Sequence, residues 1–98
     1  MTLTSKQRAH LRALANTLQP ILHVGKGGVV DTVIKQADDA LAARELIKGR
    51  TLETAPETAK ETAVLIAEKV DAQVVQVVGR TFVLYRPAKE PVIVLPRK

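Results

Sequence analysis

The segment from residue 73 to residue 85 constrains the fold more than any other part of the chain. Gln73–Val78 and Thr81–Tyr85 are rich in β-branched and aromatic residues, and only Gly79-Arg80 separates them. Two strand-like runs joined by two residues predict a β-hairpin, and glycine at the first turn position favours a type II′ turn. We therefore expect an antiparallel strand pair in the last third of the chain.

The residues before this hairpin alternate between helix-like and strand-like patterns. Apolar positions with helical spacing predict helices over residues 4–18, 29–44 and 56–71. Short apolar runs between them predict strands at 21–24 and 45–48. The order α-β-α-β-α-β-β predicts a mixed α/β, α+β-like fold in a single layered domain with a four-stranded mixed sheet. Because a helix connects the first two strands, we expect them to be parallel with a right-handed crossover.

Capping residues mark the expected starts of two helices. Thr4 and Gln7 have the spacing of a capping box, and so do Thr54 and Glu57. The first and third helices should therefore begin beside these pairs. Pro56 is compatible with a first helical turn, because the N–H that it lacks would have no partner within the helix there.

Two further features concern strand ends. Gly49 follows the second predicted strand, and we expect it to weaken or bulge that strand, because glycine has no side chain to pack. Residues 87–98 form a tail in which Val92–Leu95 has the composition of an extra strand, closed by Pro96. The core of the domain should then comprise about residues 2–86.

Composition excludes several classes of protein. The 98 residues leave room for one domain. The absence of Cys excludes disulfides, thiolate metal sites and cysteine nucleophiles, and favours a reducing, cytoplasmic setting. No apolar run approaches the roughly 20 residues of a membrane span. His10 and His23 are the only histidines and Ser5 is the only serine, so we expect no enzyme activity, metal, cofactor or small-molecule substrate.

The charges are distributed unevenly along the chain. Residues 1–30 carry a net charge of +4 without any acid, residues 31–72 carry −3, and residues 73–98 carry +4. A basic surface attracts polyanions, of which nucleic acid is the commonest. The alternative is an ordinary solubilising charge, since a total of +5 is common for a small domain.

The segment Gly25–Gly28 reads Gly-Lys-Gly-Gly and lies between a predicted strand and a predicted helix. It matches neither a Walker loop nor a dinucleotide-binding fingerprint, because the required glycine positions differ. As a G-x-x-G turn it resembles the loop with which KH domains clamp a nucleic-acid backbone. Glycine permits close approach, Lys26 adds charge, and the helix start offers N–H groups to phosphate. The alternative is a plain strand-to-helix turn.

Aromatic residues are too few to form a stacking surface. Phe82 and Tyr85 are the only two, and their spacing directs them to opposite faces of one strand. Base stacking therefore cannot supply most of the affinity for a nucleic acid. Recognition should depend on phosphate contacts, backbone shape and ribose hydroxyls.

Several motifs together resemble a known family. Leu3–Arg8, Leu11-Arg12, Val24–Gly28, Glu45–Lys48 and Val77–Arg86 resemble, in order and spacing, the CRM domain in its stand-alone bacterial, YhbY-like form. The likeness extends over nearly the whole chain. It implies an RNA-binding domain with a fold similar to the C-terminal domain of translation initiation factor three, and a G-x-x-G loop that contacts RNA.

The resemblance also implies association with precursors of the large ribosomal subunit. The resulting hypothesis is a non-catalytic, monomeric, cytoplasmic protein that binds ribosomal RNA in such a particle and assists its assembly. The alternative is a protein-interaction adaptor on the ribosome, or a translation-factor-like module, that binds through the acidic residues 31–72. Steeply salt-dependent binding would favour RNA, and a flat response would favour the adaptor.

The candidate RNA-binding residues are basic side chains and the glycines of the loop. They are Gly25, Lys26, Gly27, Gly28, Lys6, Arg8, Arg12, Lys48, Arg80 and Arg86. The loop forms the backbone clamp, the first helix supplies charge, and the strand ends and hairpin turn extend the patch. Alternatives stay open for the last group: Lys48 covers a strand edge, Arg80 is a turn residue, and Arg86 pairs with a carboxylate.

Overall fold

Seven elements form in the order that the sequence predicts. The computed structural model describes residues 2–97. Its three helices and four strands are α1 (Ser5–Ala15), β1 (Leu22–Val24), α2 (Asp31–Arg44), β2 (Leu46–Thr51), α3 (Ala59–Val70), β3 (Gln73–Val78) and β4 (Thr81–Tyr85). The mixed α/β class and the single domain are confirmed. No helix within residues 2–97 combines the length and apolar composition that crossing a membrane requires.

The four strands form one mixed sheet in the order β1-β2-β4-β3. β1 and β2 are parallel, with His23 opposite Arg50, and β4 is antiparallel to both of its neighbours. The predicted hairpin is confirmed. Of its two turn residues only Gly79 has a positive φ, 57°, which is the φ pattern of a type II′ turn. The C-terminal ends of β1 and β2 and the hairpin turn therefore lie at the same end of the sheet.

Helices cover both faces of the sheet. α2 and α3 pack on one face, where Ile47 and Phe82 belong to the larger hydrophobic cluster. α1 packs on the other face, against a cluster that includes Leu46 and Val83. Adjacent strand residues enter opposite clusters because side chains alternate across a sheet. We call these surfaces the α2–α3 face and the α1 face.

The prediction that Gly49 weakens or bulges the second strand is wrong. β2 continues through Gly49 to Thr51, and Gly49 pairs with Phe82 of β4. The Phe82 ring fills the space beside this glycine, because a Cβ atom there would lie 2.3 Å from the ring atom Cζ. The missing side chain thus makes room for a large buried one. As a consequence, Lys48 and Arg50 lie on one continuous strand and both face the α1 side.

The first helix begins as predicted and ends earlier. The capping box of α1 is present, since the Gln7 N–H donates to the Thr4 hydroxyl oxygen and the Thr4 N–H donates to the Gln7 side-chain carbonyl. The helix was expected to reach residue 18, but it ends at Ala15. The Leu18 N–H donates to the Ala15 carbonyl at 3.0 Å, which closes a tighter turn and brings Leu18 onto the core.

The third helix begins later than predicted, and the Thr54–Glu57 capping box is wrong. Thr58 and Glu61 form that box instead, so α3 starts at Ala59. The hydrogen bond from the Ala55 N–H to the Leu52 carbonyl, 3.0 Å long, closes a turn just before this point. That turn includes Thr54, which therefore does not act as the N-cap of the helix.

The tail does not form the extra strand expected at Val92–Leu95. It lies against the α1 face, where Ile93 and Leu95 pack on the hydrophobic cluster beneath α1. The buried carboxylate of Glu45 accepts hydrogen bonds from N–H groups of the tail, of which the bond from Val92 is 2.8 Å long. Backbone donors that a strand would have directed to a neighbouring strand are thus bound by a side chain.

Candidate nucleic-acid interface

Three loops meet at one end of the domain, beyond the C-terminal ends of β1 and β2. We call this region the loop end; it comprises residues 25–30, 52–58 and 79–80. The Leu52 N–H donates to the Val24 carbonyl at 2.8 Å, and the Thr51 N–H donates to the Arg80 carbonyl at 2.8 Å. These hydrogen bonds fix the glycine loop, the loop after β2 and the hairpin turn relative to one another.

The Gly25–Gly28 segment forms a tight turn at the loop end. The Gly28 N–H donates to the Gly25 carbonyl at 2.9 Å, and Lys26 and Gly27 at the corners of the turn are exposed. Gly28 has a φ of 71°, and a Cβ atom on it would lie 3.0 Å from Pro56 Cγ, so this position requires glycine. A Cβ atom on Gly27 would meet nothing within 4 Å, which leaves the backbone open to a ligand.

The first turn of α2 follows this loop without a side-chain cap. Its N-cap residue is Val30, which makes no side-chain hydrogen bond to the helix, and N–H groups at such a helix start favour an anion. Asp31 in the same turn is exposed. The start of α3 differs, because the Glu61 carboxylate accepts a hydrogen bond from the Thr58 N–H. This bond, with a smaller contribution from the Thr58 side chain, lowers the pKa of Glu61.

α1 contributes basic residues and no acid. Lys6 and Arg12 are exposed, whereas Arg8 is half-buried. The Arg8 guanidinium donates hydrogen bonds to the carbonyls of Val74 and Val75, the second at 3.1 Å. The register of β3 shifts at this point, so Arg8 satisfies carbonyls at a bulge of the edge strand. Arg8 therefore supports the sheet, and Lys6 and Arg12 carry the accessible charge of the helix.

Part of the α1 face lies beyond the end of α1 and is uncovered. Arg50 of β2 lies there between His23 of β1 and Thr81 of β4, its partners in register. Arg50 and His23 are exposed, and Lys48 is half-buried. Arg50 is not among the residues predicted from the sequence, because the predicted strand, residues 45–48, stops before it. The alternation of Lys48 and Arg50 along a continuous strand is the signal that identifies it.

The two sides of the sheet differ in charge. We call α1 together with the uncovered part of the α1 face the basic face; its bases are Lys6, Arg8, Arg12, Lys48 and Arg50. None of these bases takes part in an ion pair within residues 2–97. α2 and α3 carry acids among their bases, as in the pair of Lys35 and Asp39 at 3.2 Å. The helices of the acidic middle segment thus lie across the sheet from the basic face.

Arg80 lies in the hairpin turn at the loop end. Its guanidinium is 3.6 Å from the carboxylate of Glu53, and the two side chains are 51% and 85% exposed. An exposed pair of this kind contributes about 0–1 kcal/mol. The guanidinium is therefore free to exchange Glu53 for another anion at small cost.

Arg86 lies at the opposite end of the sheet, after the last residue of β4. Its guanidinium is 2.6 Å from the Asp38 carboxylate and donates to the Val70 carbonyl at 2.9 Å and the Asp38 carbonyl at 3.0 Å. Only 23% of the side chain is exposed. The pairing with a carboxylate that the sequence allowed is present, and it joins α2 to the end of α3. The structure does not bring Arg86 together with the glycine loop.

The chain is similar to known proteins over most of its length. The family model described as the CRS1/YhbY (CRM) domain matches residues 3–86. The chain is 47% identical over 88 residues to "Probable RNA-binding protein YqeI" of Bacillus subtilis, which covers 90% of this chain and 92% of that protein. It is 37% identical over 97 residues to "RNA-binding protein" of Haemophilus influenzae, which covers 99% and 98%.

A solved structure is similar over almost the entire chain. The solution structure of the hypothetical protein SAV1595 from Staphylococcus aureus matches with a TM-score of 0.81 and 43% sequence identity. The match covers 97% of this chain and 100% of that one. Sequence and fold therefore point to the same group of proteins.

Proposed function

The chain belongs to the CRS1/YhbY (CRM) domain family, and we propose on this basis that it binds RNA and catalyses no reaction. The proposed partner is ribosomal RNA in a large-subunit precursor, whose assembly the protein assists in the cytoplasm. The observation that carries the proposal is the Gly25–Gly28 turn, exposed at Lys26 and Gly27, beside a basic face whose bases form no ion pair within residues 2–97. The names of the relatives support RNA as the partner.

The glycine turn holds one stretch of the RNA backbone. Gly27 lets a phosphate approach the turn closely, since the place of a Cβ atom there is open space. The start of α2, without a side-chain cap, adds N–H groups and the positive end of the helix dipole. Lys26 neutralises part of the phosphate charge. None of these contacts reads a base, so this clamp accepts backbone of any sequence.

The bases near the turn bind further phosphates. Arg12, Lys48 and Arg50 lie on the basic face, and Arg80 lies at the loop end beside them. Together with Lys26 they offer five positive charges. For single-stranded RNA, five phosphate contacts predict that the logarithm of the binding constant falls with the logarithm of the salt concentration with a slope of about −3.5.

Salt titration separates RNA binding from the adaptor alternative. Fluorescence anisotropy with a labelled fragment of large-subunit ribosomal RNA should give a slope near that value. A variant with Lys26, Arg50 and Arg80 changed to Ala should give a slope smaller by about 2, since about 0.7 is lost per phosphate contact. A slope near zero in the unmodified protein would contradict binding through phosphates and favour an adaptor that recognises protein.

The ribosomal part of the proposal needs a measurement in cells. Ultraviolet crosslinking of the protein to RNA, followed by sequencing of the attached fragments, should concentrate reads in large-subunit ribosomal RNA. The same sample fractionated on a sucrose gradient should place the protein with particles lighter than the finished subunit. Reads spread over messenger and transfer RNA in proportion to their abundance would refute this part and leave RNA binding itself intact.

A further inference from the structure

We propose that the basic face carries a site for one unstacked nucleobase, placed between the end of α1 and strands β2, β4 and β3. The proposal rests on the RNA binding proposed above and deepens it, because the glycine clamp recognises backbone alone. The site is a depression of about 190 Å³. That volume is below the roughly 300–1,000 Å³ of a pocket for a drug-sized ligand, and it suits a single small planar group.

The register of the sheet builds the floor of this depression. Val83 of β4 lies between Lys48 of β2 and Gln76 of β3, its partners on the two sides. One row further, Thr81 pairs with Val78, and all of these residues line the depression. The floor is open because α1 ends at Ala15 and does not extend over these rows.

The lining has the chemistry that a base edge requires. Asn16 and Gln76 line the depression, and no hydrogen bond within residues 2–97 uses the side-chain amide of either residue. Each amide has both donors and an acceptor, so the pair can match the edge of a base. Val78, 57% exposed, supplies an apolar surface for the ring. No acid lines the depression, and Lys48 brings a positive charge to it.

This surface can hold a base within the depression, but it has no aromatic ring on which to stack one. Sheets that bind single-stranded RNA commonly stack bases on exposed aromatic rings. Here Phe82 and Tyr85 are the only aromatic residues, and they are 0% and 1% exposed. A base on this face must therefore be held by the walls of a depression and by hydrogen bonds to its edge. Gln76 lies between valines in the middle of β3 and is the natural centre of such a site.

The test compares RNAs with and without bases. The probes are labelled single-stranded oligouridine, oligocytidine and oligoadenosine, and an abasic ribose-phosphate strand of equal length and charge. The protein should bind at least one of the first three more tightly than the abasic strand. Gln76→Ala should weaken that binding by about three- to tenfold, the loss of one or two hydrogen bonds, and should leave abasic binding unchanged.

Two further variants make the result decisive. Asn16 lies outside the sheet, and Asn16→Ala should likewise weaken binding of the base-bearing strand and leave abasic binding unchanged. Gln36 is an exposed glutamine of α2, and Gln36→Ala should change the affinity for neither strand. If base-bearing and abasic strands bind equally, or if Gln76→Ala and Asn16→Ala weaken both alike, the nucleobase site is refuted and RNA binding stands. If none of the strands binds, the proposed function fails and the site with it.

Discussion

Replacing Gly49 by Ala tests the most specific packing feature of the fold. The added Cβ would lie 2.3 and 2.5 Å from two atoms of the Phe82 ring, and real Cβ atoms essentially never approach other atoms that closely. The ring is fully buried in the larger hydrophobic cluster, and Phe82 is paired with Gly49 across β2 and β4, so any movement of the ring disturbs packed neighbours. The substitution therefore requires a shift of the ring or of one of the two central strands.

The expected cost follows from two opposing contributions. Overpacking a well-packed core costs about 1–3 kcal/mol. Alanine recovers about 0.4–1 kcal/mol by restricting the unfolded chain, because Gly49 has no positive φ that only glycine adopts easily. The two ranges together leave a net loss of about 0–2.6 kcal/mol, and because the approach of 2.3 Å is very short we expect about 1–2 kcal/mol in the free energy of unfolding. In a domain of this size that corresponds to a fall in Tm of roughly 4–16 °C.

Urea unfolding followed by circular dichroism measures this change. Gly27→Ala is the matched control, since its Cβ meets nothing within 4 Å, and it should be neutral or slightly stabilising. In the Gly49→Ala background, Phe82→Leu should cost less than it does in the unmodified protein, a coupling of about 0.5–3 kcal/mol. An unfolding free energy of Gly49→Ala within about 0.5 kcal/mol of the unmodified protein, or strict additivity with Phe82→Leu, would refute this reasoning.

Three further predictions concern the clamp, an ion pair and a buried phenol. Lys26→Ala combined with Gly27→Asp should leave the unfolding free energy unchanged, because both residues are exposed, and should reduce RNA affinity in filter binding; unchanged affinity excludes the clamp. Arg86→Ala should lower the unfolding free energy by about 1–3 kcal/mol, because its partners lose a charged donor. The RNA affinity of the folded variant, measured by fluorescence anisotropy, should stay constant. A loss of affinity would place Arg86 in the interface. Burial, and secondarily the Glu45 carboxylate, raise the pKa of Tyr85 above its ordinary 10.0. Folding thus favours the neutral phenol, and the resulting contribution of Tyr85 to the free energy of unfolding is complete below pH 10 and is lost as the pH rises through the folded-state pKa. In urea titrations, Tyr85→Phe should not show this loss of stability at alkaline pH.

Local patterns were sufficient to predict the elements and their order. Apolar spacing and the two-residue turn with Gly79 are read from residues that are close in sequence. For this reason the hairpin is predicted correctly, and the three helices are predicted in the right order although two of their ends differ. The fate of Gly49 depends instead on Phe82, a residue from a different strand. The start of α3 likewise depends on how the loop before Thr58 folds, because two capping boxes of equal quality compete in the sequence. Sequence spacing alone cannot rank them.

The candidate site shows the same division between local and long-range information. The glycine turn was recognisable because its residues are contiguous. Arg8 and Arg86 are basic like the others, but their partners, the bulge of β3 and the Asp38 carboxylate, come from distant segments. Arg50 was missed as a direct result of the wrong strand end at Gly49. Composition alone therefore cannot separate basic residues that hold the fold together from basic residues that are available to a ligand.

The separation of bases and acids across the sheet has a kinetic consequence. A molecule with a basic face on one side and the acids of α2 and α3 on the other rotates in the field of an approaching polyanion. For the proposed RNA partner, encounters are thereby steered into the orientation in which the glycine turn and its neighbouring bases meet the RNA first. We expect added salt to slow association far more than it speeds dissociation, since long-range attraction is screened while contacts already formed persist.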